Sequence, residues 1–95
     1  MASGLVKWQL KKTSNRLREL RAELAVMDEQ RGYLADDAED LDVRAVVSES
    51  GRDRYHAREA DGHVSAMAKA RAHAVSEIAR LEAKQDQLLD RLTAS

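Results

Sequence analysis

Cysteine, proline and phenylalanine are absent from this chain of 95 residues, and Gly (four), Tyr (two) and Trp (one) are scarce. Without cysteine, neither a disulfide scaffold nor a thiolate metal site can form. So few aromatic and turn-forming residues exclude a β-sandwich or barrel, whose strands draw on β-branched and aromatic side chains between marked turns. No apolar run approaches the roughly 18 residues of a spanning helix. No signal-peptide pattern is present, so the cytoplasm is the expected compartment. An excess of one charge is missing too: 16 basic residues against 17 acidic leave a net charge of -1. Dedicated nucleic-acid binders as a rule carry clear net basicity, so this near-balance weakens that class of partner without excluding it.

What remains is Ala, Leu, Glu, Arg and Lys, the composition of long helices. The Ala and Arg abundance also suggests a GC-rich bacterial genome. The length fits one small domain over residues 1–95.

Periodicity organises that composition. In the first half, Leu10, Leu17, Leu24, Arg31 and Ala38 recur at seven-residue spacing as position a, and Val6, Thr13, Leu20, Met27, Leu34 and Leu41 as position d. In the second half, a falls on Ala57, Val64, Arg71, Ile78, Gln85 and Leu92, and d on Ala60, Met67, Ala74, Leu81 and Leu88. Both halves read as amphipathic helices with coiled-coil seams. Helix signals fail together only at Val46–Asp53, where adjacent β-branched residues precede Ser48, Ser50 and Gly51. Ser50 with Asp53 approximates a capping box, and Gly51 supplies permissive backbone for a reversal. The spacing predicts helix 1 over about 5–46, a turn over about 47–51 and helix 2 over about 52–93, each helix roughly 60 Å long.

Folding back at this turn places every a opposite a d in one register. Leu10 meets Leu88, Leu17 meets Leu81, Leu20 meets Ile78, Leu34 meets Val64 and Ala38 meets Ala60, while polar Thr13 meets polar Gln85. The expected fold is all-α: two long antiparallel helices forming a coiled-coil hairpin, with dimerisation into a four-helix bundle as a further step. Two layers break the apolar rule, Met27 with Arg71 and Arg31 with Met67. Each Arg either lays its stem on the Met and sends its guanidinium to an acid such as Asp28, Glu23 or Glu77, or the two guanidiniums form an anion site.

Chemistry-bearing constellations are few. His56 and His63 lie one heptad apart, about 10 Å along the axis, too far to share a metal. No carboxylate pair, Ser/His/Asp trio or phosphate-cradling glycine loop is present, so the expectation is a non-enzymatic protein without cofactor, metal or small-molecule substrate.

Charge is sharply patterned. Lys7, Lys11, Lys12, Arg16, Arg18 and Arg21 stand against Glu19 alone, whereas Asp28, Glu29, Asp36, Asp37, Glu39, Asp40 and Asp42 stand against Arg31 alone. Folding back brings Arg52, Arg54 and Arg58 toward the acidic segment, and Glu82, Asp86 and Asp90 toward the basic one. Lys7, Lys11 and Arg18 share an outer face of helix 1 available to nucleic acid or to an acidic protein. Trp8, on the outer side among these cations, is a candidate partner contact; its apolar surroundings are too meagre to favour a membrane.

Two apolar surfaces lie outside the seam. Ala68, Ala72, Val75 and Ala79 form a small-residue stripe on helix 2 that admits close approach of another helix. Val46, Val47 and Tyr55, with Val43, cluster at the tip, either as a staple between the helices or as a contact knob. In architecture alone, such a hairpin resembles the flagellar export stalk protein, secretion chaperones and the tRNA-touching arm of seryl-tRNA synthetase. No motif residues accompany that resemblance, so it implies a fold and no site. The expected function is a coiled-coil interaction module, acting as adaptor, regulator or scaffold through a protein partner or self-association. The alternative is a nucleic-acid- or ribosome-associated protein using the Lys7–Arg21 stretch.

Overall fold

The computed structural model describes residues 2–94. Helix α1 (Ala2–Ser48, 47 residues) and helix α2 (Gly51–Ala94, 44 residues) form a helical hairpin, with no strand among the described residues. Both helices run past their expected limits at the turn. Val46 and Val47 stay helical, because β-branching lowers helix propensity by only a few tenths of a kcal/mol per residue. Gly51, expected to reverse the chain, is instead the first residue of α2.

Glu49 makes the reversal. Its φ of 56° is left-handed, and its N–H donates to the Ala45 carbonyl at 3.2 Å. This closes α1 with the left-handed cap that usually takes glycine. Ser50 then opens α2 as its N-cap, its Oγ accepting from the Asp53 N–H at 3.3 Å. The reciprocal arm of the expected capping box is displaced by one hydroxyl. Asp53 Oδ2 accepts from Ser48 Oγ at 2.5 Å, and that same Oγ accepts from the Ser50 N–H at 3.3 Å. Arg54 secures the corner through a 3.0 Å bond from Nη1 to the Glu49 carbonyl.

The chain divides into two compact units. The first joins the α1 segment ending at Leu24 to the α2 segment starting at His73; the second is Ala25–Ala72, which contains the turn. In the first unit, Val6, Leu17, Leu20, Ala74, Leu81 and Leu88 are buried together with Thr13. Leu17 is 0% exposed, and it clusters with Leu20 and Leu81 while Ile78 packs against the group. These are the seam residues in their expected layers, each Leu contributing about 1.5–3 kcal/mol by leaving water. The polar layer finds a different partner from the expected one: Gln85 Nε2 donates to Ser14 Oγ at 2.9 Å.

The second unit is held by smaller groups. Only Ala38 and Ala57 are buried there, while Met27, Leu34, Leu41, Ala60, Val64 and Met67 are half-buried. Arg71 is half-buried, and its Nε donates to Asp28 Oδ1 at 2.6 Å. Arg31, at the matching seam position of α1, is exposed. The two arginines therefore part: one bridges to Asp28 across the helices, and the other points to water.

Candidate interaction surfaces

In the first unit, the basic stretch of α1 is divided around the helix. Arg21 lies on one edge of the helix pair and meets Glu82 of α2 at 3.6 Å. Arg16 meets Glu19 at 3.0 Å and Glu23 at 3.7 Å. Lys7, Lys11 and Arg18 are exposed and ion-pair with no described residue. Of the three acids expected to neutralise this stretch, only Glu82 reaches it. The Asp86 and Asp90 carboxylates pair with no described side chain. On α2, Arg80 and Glu77 form an ion pair that lowers the Glu77 pKa and raises that of Arg80, chiefly through their hydrogen bond.

Trp8 remains 58% exposed, and Lys12 Nζ lies 4.8 Å from its ring centroid. Trp8, Lys12, Arg16 and Lys84 line an open groove of about 290 Å³, floored by Thr13 and Leu81. A second groove of about 520 Å³ is lined by Arg80, Lys84, Gln87 and Arg91; Gln9 and Lys84 line both. Lys84, Gln87 and Arg91 were not among the residues singled out in the sequence. For Lys84 and Arg91 the signal is register: Arg16 occupies position g of α1, and Lys84 and Arg91 occupy position g of α2, on the same edge of an antiparallel pair, whereas Gln87, at position c, carries no such signal.

In the second unit, the acidic segment finds few cations. Its cross-helix partner is Arg71, through Asp28. Arg52, Arg54 and Arg58, expected to neutralise it, pair with none of its carboxylates; Arg54 is drawn instead to the Glu49 carbonyl. Asp42 faces Asp61 rather than a base, and partial desolvation together with that neighbour raises its pKa. His56 and His63 line a shallow groove with Glu59, Leu34 and Leu41, and His63 Nε2 lies 3.9 Å from Glu59. No group of three or more potential metal ligands gathers among the described residues.

The apolar candidates lie in water. Val46 and Val47 are 78% and 79% exposed, and Val43 and Tyr55 are exposed beside them in sequence. Tyr55 touches His56 edge-on at 5.6 Å between ring centroids. Ala68 and Ala72 in the second unit are exposed, as are Val75 and Ala79 in the first. No described helix is long and apolar enough to cross a membrane. Comparison with protein-family models, curated proteins and solved structures finds no match to the chain.

Proposed function

We propose that this protein is a non-enzymatic coiled-coil interaction module, an adaptor, regulator or scaffold of a bacterial cytoplasm, that acts by self-association or by docking on another protein. The observation that supports this reading is the imbalance of its apolar surface. Among the described residues, the large aliphatics that are buried are Val6, Leu17, Leu20, Leu81 and Leu88. Leu5, Trp8, Val26, Tyr33, Val43, Val46, Val47, Tyr55, Val75 and Leu89 are all exposed. A helix pair buries one stripe per helix, and that gain sits close to the conformational entropy lost in ordering the chain. A further helix laid on these faces adds burial at little extra ordering cost.

Sedimentation equilibrium over a wide concentration range tests the reading. The expected result is a dimer or higher species, weakened by Ala72→Glu, which sets an unpaired charge into an apolar contact, or by Val46→Ser with Val47→Ser. Dimerisation into a four-helix bundle is the simplest assembly that meets this expectation. A folded monomer at all concentrations, indifferent to both variants and capturing no protein from its native cell, overturns it.

A further inference from the structure

The two edges of the first unit are built differently. On one edge, side chains join across the helices: Arg21 to Glu82, and Gln85 to Ser14. On the other edge the two adjoining grooves present Lys12, Arg16, Arg80, Lys84 and Arg91, and no carboxylate lines either one. Antiparallel coiled coils set opposite charges across such an edge; this one sets Arg16 against Lys84. Arg16 is neutralised by Glu19 and Glu23 of its own helix and feels Glu77 of α2, and Glu77 is itself bonded to Arg80. Lys12, Lys84 and Arg91 pair with no described carboxylate. Like charges held together in a groove mark a place where an anion lowers the energy.

The remaining lining says which anion. Trp8 offers a half-exposed indole at one end, and Gln9 and Gln87 offer amides that both donate and accept. We propose that this groove binds single-stranded nucleic acid, with phosphates on Lys12, Lys84 and Arg91 and one base stacked on the Trp8 face opposite the Lys12 ammonium. Cations along a groove with an aromatic platform are the physical requirements of single-strand binding, and every base has a face to stack. A bilayer fits less well, because interfacial binding needs a broad apolar face, and the aliphatic lining here, Leu81 and Leu88, is buried. An acidic protein helix would leave the indole without a planar partner. The site differs from the Lys7, Lys11 and Arg18 face, and it does not depend on self-association.

Trp8 is the only tryptophan in the chain, so its fluorescence reports on the groove directly. Titration with an oligouridylate or oligothymidylate of about ten nucleotides, a length within the span of known single-strand sites, should quench it saturably. With three phosphates engaged, the logarithm of affinity should fall against the logarithm of salt with a slope of about −2. By anisotropy of a labelled strand, Trp8→Ala should weaken binding roughly tenfold, the worth of one stacked base. Lys84→Glu with Arg91→Glu should abolish it. Lys11→Glu with Arg18→Glu removes the same charge outside the groove and should change affinity far less, with helicity at 222 nm retained in every variant. Several outcomes overturn the proposal: no quenching by either strand, equal losses from the two charge pairs, or duplex binding as tight as single-strand binding. Quenching by phosphatidylglycerol vesicles or by polyglutamate in place of the strands would likewise assign the groove to a membrane or to an acidic protein.

Discussion

Arg71 of α2 reaches across to α1 and donates from Nε to Asp28 Oδ1 at 2.6 Å, the one cross-helix ion pair among the described residues of the second unit. Both side chains are partly open to water, so the bond works more as a register pin than as a store of stability. The Arg71 hydrogen bond, reinforced by its charge, holds the Asp28 carboxyl below the usual carboxylate range. A depressed folded pKa contributes stability that is present above the unfolded carboxylate pKa and lost as pH falls through the folded one. Asp28→Asn should therefore lower the melting temperature at neutral pH, and the difference should close as both proteins are taken into strong acid. A gap that persists unchanged at low pH would show that the pair is not its origin.

The core of the first unit makes a second expectation quantitative. Leu17, Leu20 and Leu81 form one cluster with Ile78 against it. Truncating Leu20 to Ala removes buried methyls and leaves a space that long helices close only in part, at a cost of about 2–4 kcal/mol. Leu5→Ala, at an exposed position of the same helix, should be nearly silent. Urea unfolding of the two variants provides the comparison, and equal losses would mean that these layers do not carry the seam.

The turn yields a pair of substitutions with an outcome opposite to the glycine-centred expectation. Glu49 adopts a φ of 56°, a conformation that costs an L-residue roughly 1–2 kcal/mol and glycine almost nothing. Glu49→Gly should thus raise stability by up to about 1 kcal/mol, since the greater freedom of unfolded glycine offsets part of the relief. Gly51 has no positive φ, and an added Cβ would meet only Arg54 Nη2 at 3.8 Å. Gly51→Ala should be neutral or mildly stabilising. Gly32 and Gly62, inside helices with nothing within 4 Å of an added Cβ, should each gain about 1 kcal/mol on substitution by Ala. Thermal melts of the four variants check these signs.

The seam was legible because a heptad needs only spacing: every a and d position except Arg31 is buried or half-buried. The turn was legible in place and misread in detail. Gly51 and Ser50 compete as signals there, and once Ser50 caps α2, Gly51 must be helical and residue 49 is left to reverse the chain. The basic stretch is legible in part. Folding back brings Glu82 to Arg21, as the spacing expects, whereas Lys84 of α2, which lines one groove with Lys12 and Arg16, emerges only when both helices are read together. Charges on position g belong to both helices at once.

Asp42 and Asp61 supply the last expectation, because they repeat the geometry of Arg21 and Glu82 with the wrong signs. Each pair occupies position e on its two helices, and the first unit joins opposite charges there at 3.6 Å. In the second unit both members are carboxylates, and partial desolvation and the Asp61 neighbour push the Asp42 pKa up. A folded pKa above the unfolded one means that the ionised pair opposes folding at neutral pH and that the opposition fades as pH falls through the raised value. Asp61→Lys should then raise the melting temperature at pH 7, turning repulsion into attraction at the same register position. The advantage should shrink with added salt, as expected for exposed charges. It should vanish once the pH drops below the carboxylate range, where Asp42 is neutral in both proteins. Asp61→Asn, which removes the repulsion without adding a cation, should fall between the two. A lysine variant no more stable than the parent at neutral pH would mean that the two carboxylates are too well hydrated to oppose each other.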